Sequence, residues 1–240
     1  MRSAPARIGV DVPPGAPGRD YFGRDHLLHG VKARLALRAR RWMYARTLAL
    51  LGAGRDTAVL DVGTTPDVEI AYSNFFERWY PYPDRLTTCS VEDCSALETR
   101  FPGVTFRLMH GTTLPFPAKA FDAAVSFAVL EHVGDAADQR RFLAELARVA
   151  RQFVCYTPYR YFPVEMHTYT PLLHWLPAPV CRAVWRWCGL SAWADERNLN
   201  LLSVRDARRL LPGDGRATVR LVRTLGWPSH IEIHWVDDPS

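Results

Sequence analysis

An alternation constrains this chain more than anything else in it. Short apolar runs rich in β-branched residues ("TAVLDVG", "RLTTCSV", "GVTFRLMHG", "FDAAVSFAVL" and "QFVCYTP") are separated by segments whose apolar residues recur at helical spacing. Runs without polar alternation suit strands covered on both faces. Parallel strands need crossovers, and the intervening helical segments supply them. The chain therefore reads as a doubly wound, mostly parallel α/β sheet. "RATVRLVRTLGWPSHIEIHWV" adds an antiparallel pair, giving seven strands with a reversed edge strand.

Helices are expected over Leu27–Leu51, Val68–Trp79 and "EDCSALETRF", then over "DAADQRRFLAELARVAR" with Asp135 as N-cap. A further helix is expected at "SVRDARRLL", where Ser203 and Asp206 make a capping-box pattern. Residues 1–25 are rich in Pro and Gly and are expected to be poorly ordered. Residues 26–240 then form a single domain, a length that can bury a sizeable core. After the fifth strand the chain becomes dense in aromatics and proline. Residues 157–200 read as a partly helical insertion.

Composition narrows the class. Hydrophobic residues make up 48% and charged ones 23%, ordinary for a soluble globular protein, and no run of about 18 apolar residues predicts a spanning helix. The N-terminal stretch lacks the apolar centre of a secretory signal. Five cysteines without a CxxC pair argue for reduced thiols in a cytoplasm, against a disulfide framework or zinc site. The net charge of +5 comes almost wholly from arginine, and the arginine-rich run Val31–Arg46 reads as a solvated helix face. No nucleic-acid module is present, so no such partner is expected.

In an open parallel sheet, ligands bind outside the carboxyl ends of the strands. The first strand leaves through "DVGTTPD": Asp61 closes it and Gly63 allows a tight turn. The phosphate loop G-x-G-x-x-G is missing, which counts against a nicotinamide-dependent oxidoreductase. An acid, Glu92, follows the second strand, where a carboxylate can accept both ribose hydroxyls. "LPFPAKAFDAAVSFAVLEHV" and "FLAELARVAR" follow in that order.

Over Ala58–Pro158 this ordered set resembles the class I S-adenosylmethionine-dependent methyltransferases, in particular the methyltransferase type 11 branch. The resemblance implies S-adenosylmethionine lying across the strand ends. Asp61 and Gly63 would face its methionine part, and the Thr64–Thr65–Pro66 turn would contact its amino-acid end through backbone and hydroxyl groups. Glu92 would take the ribose hydroxyls, with the neighbouring Asp93 as the other candidate. His110 and Gly111, after the third strand, would lie against adenine, and Phe127, Ala128 and Val129 would line the pocket beneath the cofactor. Two departures stand out. Thr65 and Asp67 replace the family's later glycines, and His110 stands where the family places Asp or Glu, so the imidazole would accept the adenine hydrogen bond.

For the acceptor, "LEHV" offers Glu131 and His132, and "YFPVEMHTYTP" offers Glu165 and His167. An imidazole titrates near neutrality, which suits a base at an acceptor hydroxyl. His167 is the first candidate, as base or acceptor-positioning group, and His132 the second. Glu165 and His167 also have the makings of a metal pair. Without further acidic ligands at matching places, no metal is expected. The aromatics from Tyr156 to Trp193 would form a lid over the acceptor or the core of a subdomain. Contact of "LLHWLPAPVCRAVWRWCGL" with a membrane surface is disfavoured by its two prolines. The expected function is methyl transfer to a small-molecule or carrier-linked acceptor at a hydroxyl oxygen. The rival is a non-catalytic or regulatory protein of the same fold with weakened cofactor binding, motivated by the thinned glycine loop and His110.

Overall fold

A computed structural model describes residues 29–67, 73–109 and 112–238. Within them, α1 (His29–Leu51) leads into β1 (Val59–Val62), α2 (Phe75–Trp79), β2 (Leu86–Ser90), α3 (Ala96–Arg100) and β3 (Thr105–Leu108). Then come β4 (Ala123–Phe127), α4 (Ala136–Val149), β5 (Gln152–Pro158), α5 (Ala178–Trp187), α6 (Val204–Leu210), β6 (Gly215–Thr224) and β7 (Trp227–Asp237). The expected tail over residues 1–25, and the part of the second predicted helix at residues 68–72, lie outside the described residues.

The strand order is β3-β2-β1-β4-β5-β7-β6. β1 to β5 pair in parallel, whereas β7 runs antiparallel to both β5 and β6. The β6–β7 hairpin thus adds the reversed strand at one edge. Its two-residue turn, Leu225 (φ 51) and Gly226 (φ 86), has the doubly positive twist that suits the flanking strands.

Alternate strand residues enter two separate cores. Leu60, Val62, Ala124 and Phe153 pack with Phe142, Leu143 and Leu146 of α4 and Leu210 of α6. Val59, Val125, Val154 and Tyr156 pack on the opposite face with Met43 of α1, Phe75 and Phe76 of α2 and Leu97 of α3. Every strand of the central set is therefore covered on both sides, which explains its unbroken apolar character. Both predicted caps form: the Asp135 carboxylate accepts from the Ala137 and Asp138 amides, and Ser203 accepts from the Asp206 amide.

Several boundaries differ from expectation. The second helix, expected from Val68, is described from Phe75, after Asn74 in left-handed backbone (φ 44), and the third begins at Ala96 and not at Glu92. The fourth strand was expected to run to Leu130 but ends at Phe127, because Ala128 adopts a left-handed backbone (φ 58) and donates its amide to the Tyr156 carbonyl at 2.8 Å. Leu130–His132 then makes a 3-10 turn that carries Glu131 and His132 out over the sheet edge. A left-handed non-glycine residue costs about 1–2 kcal/mol, and such backbone concentrates at functional sites.

The insertion has its own small core of Cys181, Trp185, Ala194 and Leu199. These residues realise the subdomain-core reading, while Trp187 is 87% exposed on the far side of α5. Backbone bonds fasten the insertion to the body: the Asn200 amide donates to the Glu131 carbonyl at 2.7 Å, the Arg160 amide to the Leu202 carbonyl at 2.9 Å and the Tyr159 amide to the Ser229 carbonyl at 2.9 Å. No described helix is long and apolar enough to cross a membrane.

Candidate active site

The carboxyl ends of β1, β2, β4 and β5 bring most of the sequence-derived residues to one edge. Asp61 is buried at the end of β1, facing Glu77 of α2, itself buried. Burial, then the neighbouring Glu77 charge, holds the Asp61 carboxyl well above the usual carboxylate range, with Arg40 pulling the other way. Burial pushes Glu77 up to about 7. The two carboxyls lie close enough to share a side-chain hydrogen bond. Two carboxyls in this arrangement hold a proton between them or attract a cationic donor. The ammonium of an amino-acid-like ligand is such a donor, so this pair fits the methionine end of S-adenosylmethionine. Sequence reasoning missed Glu77; the signal available was an acid embedded in the aromatic stretch "FFERW".

Gly63 takes φ 104 and donates its amide to the Cys89 carbonyl at 2.8 Å. A side chain there would overlap the Val129 Cγ2 methyl. The glycine is required because the turn after β4 packs directly onto the turn after β1. Thr64 is buried, and its hydroxyl accepts from the Thr88 hydroxyl at 2.8 Å. Asn74 clasps Thr65 at both ends of the peptide: its side-chain oxygen accepts from the Thr65 amide, and its side-chain nitrogen donates to the carbonyls of Thr65 and Asp67. Both threonine hydroxyls are thus engaged with protein, Thr65 through Ser73 at 2.9 Å. Side chains hold this loop in shape.

Glu92 follows β2 half-buried, with its amide bonded to the Ser90 hydroxyl at 3.2 Å. Asp93 is exposed and accepts from the Ser95 amide at 2.9 Å, which holds its carboxyl below the ordinary range. That bond occupies Asp93 in shaping the entry to α3. His110 and Gly111 lie outside the described residues. Phe127 stacks on Tyr156 with centroids 5.5 Å apart and meets Phe75 edge-on at 4.6 Å, so aromatic packing sets its position next to Ala128.

The two candidate histidines converge. Their rings meet edge to face with centroids 4.8 Å apart, and Trp193 packs against both. His132 Nδ1 lies 2.7 Å from the Asn198 carbonyl, which can only accept, so Nδ1 carries the proton. His167 Nδ1 lies 2.6 Å from Glu165, whose carboxylate also accepts from the backbone amides of His167 and Thr168. Burial alone would raise Glu165, but hydrogen bonds and charge from His167 and Thr168 outweigh it and hold the group at about 2. Burial lowers His132 and keeps its imidazole neutral. Glu131 is fully buried, with one oxygen accepting from the Thr157 hydroxyl at 2.8 Å.

Comparison with known proteins bears on the fold. The family model of the methyltransferase domain matches residues 86–153, from β2 into β5. No curated protein matches the sequence. Among solved structures, the chain is similar to magnesium protoporphyrin IX methyltransferase from Synechocystis, solved with bound S-adenosylhomocysteine (12% identity, TM-score 0.56, 90% of each chain covered). It is similar to geranyl diphosphate C-methyltransferase from Streptomyces coelicolor (14% identity, TM-score 0.56, 91% of this chain and 87% of that one). The N-methyltransferase NodS from Bradyrhizobium japonicum is also similar (15% identity, TM-score 0.51, 83% and 87%). Likeness at this identity carries the fold: a seven-stranded sheet with one reversed strand.

Proposed function

We propose that this chain, a class I methyltransferase by its matched segment and its fold, binds S-adenosylmethionine and methylates a hydroxyl of a small or carrier-linked acceptor. The observation that carries the reading is the strand order β3-β2-β1-β4-β5-β7-β6 with a buried acid, Asp61, at the end of β1. The cofactor supplies an electrophilic methyl group. Asp61 with Glu77 suits its ammonium, Glu92 its ribose hydroxyls, and the Phe127–Ala128 turn its apolar flank.

Oxygen as the acceptor atom is supported by the histidine pair, because a hydroxyl needs help in losing its proton. Glu165 fixes the His167 tautomer, so that Nε2 is the ring nitrogen directed to the acceptor's chemistry. His132, held by the Asn198 carbonyl, backs it. The insertion that carries His167 and Trp193 packs the two against each other on the acceptor side. Five free cysteines support a reducing compartment, the cytoplasm.

Thermal shift with S-adenosylhomocysteine tests the cofactor. Ligand at about 100 times its dissociation constant adds about 2.7 kcal/mol, or roughly 5–10 °C in a chain of this size. A flat melting curve at millimolar ligand favours the non-catalytic rival. His167→Ala is expected to lower turnover on the true acceptor while cofactor affinity holds. Full turnover in that variant assigns His167 a purely structural role.

A further inference from the structure

Glu131, His132 and His167 come together at the acceptor side in a way their sequence spacing does not announce. One ligand atom from each lies within 4.8 Å of the others. Glu131 Oε1 is 3.8 Å from His132 Nε2. Donors held about 2.0–2.1 Å from one tetrahedral cation are roughly 3.4 Å apart, so side-chain shifts of about an ångström or less would close the set.

We propose that these three residues bind one divalent transition cation, of the zinc or cobalt class, whose remaining positions take the acceptor oxygen. Three observations converge on it. First, Glu131 is 0% exposed, yet among the described residues its Oε1 has no hydrogen-bond partner while Oε2 is anchored by Thr157. A buried, half-satisfied carboxylate is costly, and a cation at Oε1 removes that cost. Second, both imidazoles use Nδ1 to donate, His132 to the Asn198 carbonyl and His167 to the Glu165 carboxylate. Metal-ligating histidines are oriented in this way, with the second ring nitrogen donating to a carbonyl or carboxylate behind it. Third, the cluster opens on one side only, the His132 and His167 side chains being 26% and 13% exposed while Glu131 is closed off. Two imidazoles with one carboxylate favour a borderline transition metal over magnesium or calcium, which prefer oxygen donors. Glu165, the acid that sequence spacing pairs with His167, takes the supporting position, and Glu131 supplies the missing ligand.

The cation's role rests on the methyl-transfer reading, although its binding does not. A hydroxyl coordinated at an open position becomes more acidic. Its O–H bond breaks with the electron pair left on oxygen, the proton passes to water, and the resulting alkoxide is the methyl acceptor. The histidines then act as ligands, and the cation performs the activation that a base would otherwise provide.

The test uses the full chain, freed of any affinity tag and stripped with a chelator. Cobalt(II) is titrated in, followed by its visible absorption and by tryptophan fluorescence, since Trp193 packs on both rings. Each variant is also titrated with S-adenosylhomocysteine as an independent measure of folding and of the cofactor site. One cobalt per chain is expected, displaced by zinc and not by millimolar magnesium. Glu165→Gln should weaken cobalt about 10–100-fold, and Glu131→Gln and His167→Ala at least that much, with S-adenosylhomocysteine affinity retained. If His167→Ala fails to fold, Glu165→Gln and Glu131→Gln decide the matter. A chain that binds S-adenosylhomocysteine but takes up no cobalt at 1 mM, or variants that all keep wild-type cobalt affinity, overturns the metal site and leaves the methyltransferase reading standing. Cobalt binding without any S-adenosylhomocysteine binding overturns that reading and leaves the metal site.

Discussion

Gly63→Ala is expected to be among the most damaging conservative changes near the candidate site. Gly63 sits at φ 104, backbone that an L-residue enters at a cost of about 1–2 kcal/mol. The added Cβ would overlap Val129 Cγ2 and lie 3.1 Å from both Cβ and Cγ1 of the same residue. Val129 belongs to the turn that follows β4, and Ala128 beside it is bonded to the Tyr156 carbonyl, so the turn cannot simply swing away. Forcing a methyl into such a contact costs about 1–3 kcal/mol more. Together the two effects predict a loss of about 2–5 kcal/mol, read as a lower urea midpoint at unchanged slope. The double variant Gly63→Ala/Val129→Ala separates them. It removes both Val129 methyls, so about 1–3 kcal/mol of coupling should appear in a double-mutant cycle while the backbone cost stays. A single-variant loss below about 1 kcal/mol, or strict additivity in the cycle, refutes the close-approach argument.

The Asp61–Glu77 pair makes a signed pH prediction. Both carboxyls are raised in the folded chain, so above about pH 4 the unfolded chain releases protons that the folded chain keeps. Stability should therefore fall as pH rises toward and through about 7, by up to about 1.4 kcal/mol per pH unit for each retained proton. Glu77→Gln should flatten that fall in urea titrations between pH 5 and pH 8, and equal slopes in the two proteins would sink the shared-proton account. For the cofactor edge, Asp61→Ala and Glu92→Ala should each weaken S-adenosylhomocysteine by about 1–3 kcal/mol in calorimetry, through lost charge-assisted hydrogen bonds. Unchanged affinity in both variants removes the site assignment.

Much of the scaffold was written locally in the chain. The unbroken apolar runs of β1, β4 and β5, the amphipathic α4 with its Asp135 cap, and the Ser203–Asp206 box are short-range signals, and each forms its expected element, with β4 shortened at its carboxyl end. They are legible because strand and helix periodicities and caps involve neighbours a few residues apart. The acids Asp61 and Glu92 and the turn at Gly63 were visible for the same reason: strand ends mark the binding edge of a parallel sheet. Tertiary structure decided the rest. Glu77 looks like an ordinary polar position in a short helix until β1 buries it against Asp61. Thr64 and Thr65 look available for a ligand until Thr88, Ser73 and Asn74 engage them. Glu131, His132 and His167 become one constellation only because the insertion folds back and its Asn200 amide closes onto the Glu131 carbonyl. Local pattern determines which elements form and where they stop, because those preferences are settled within a turn or two of backbone. Which side chains meet across distant segments depends on the path the chain takes between them, and only the packed molecule determines that path.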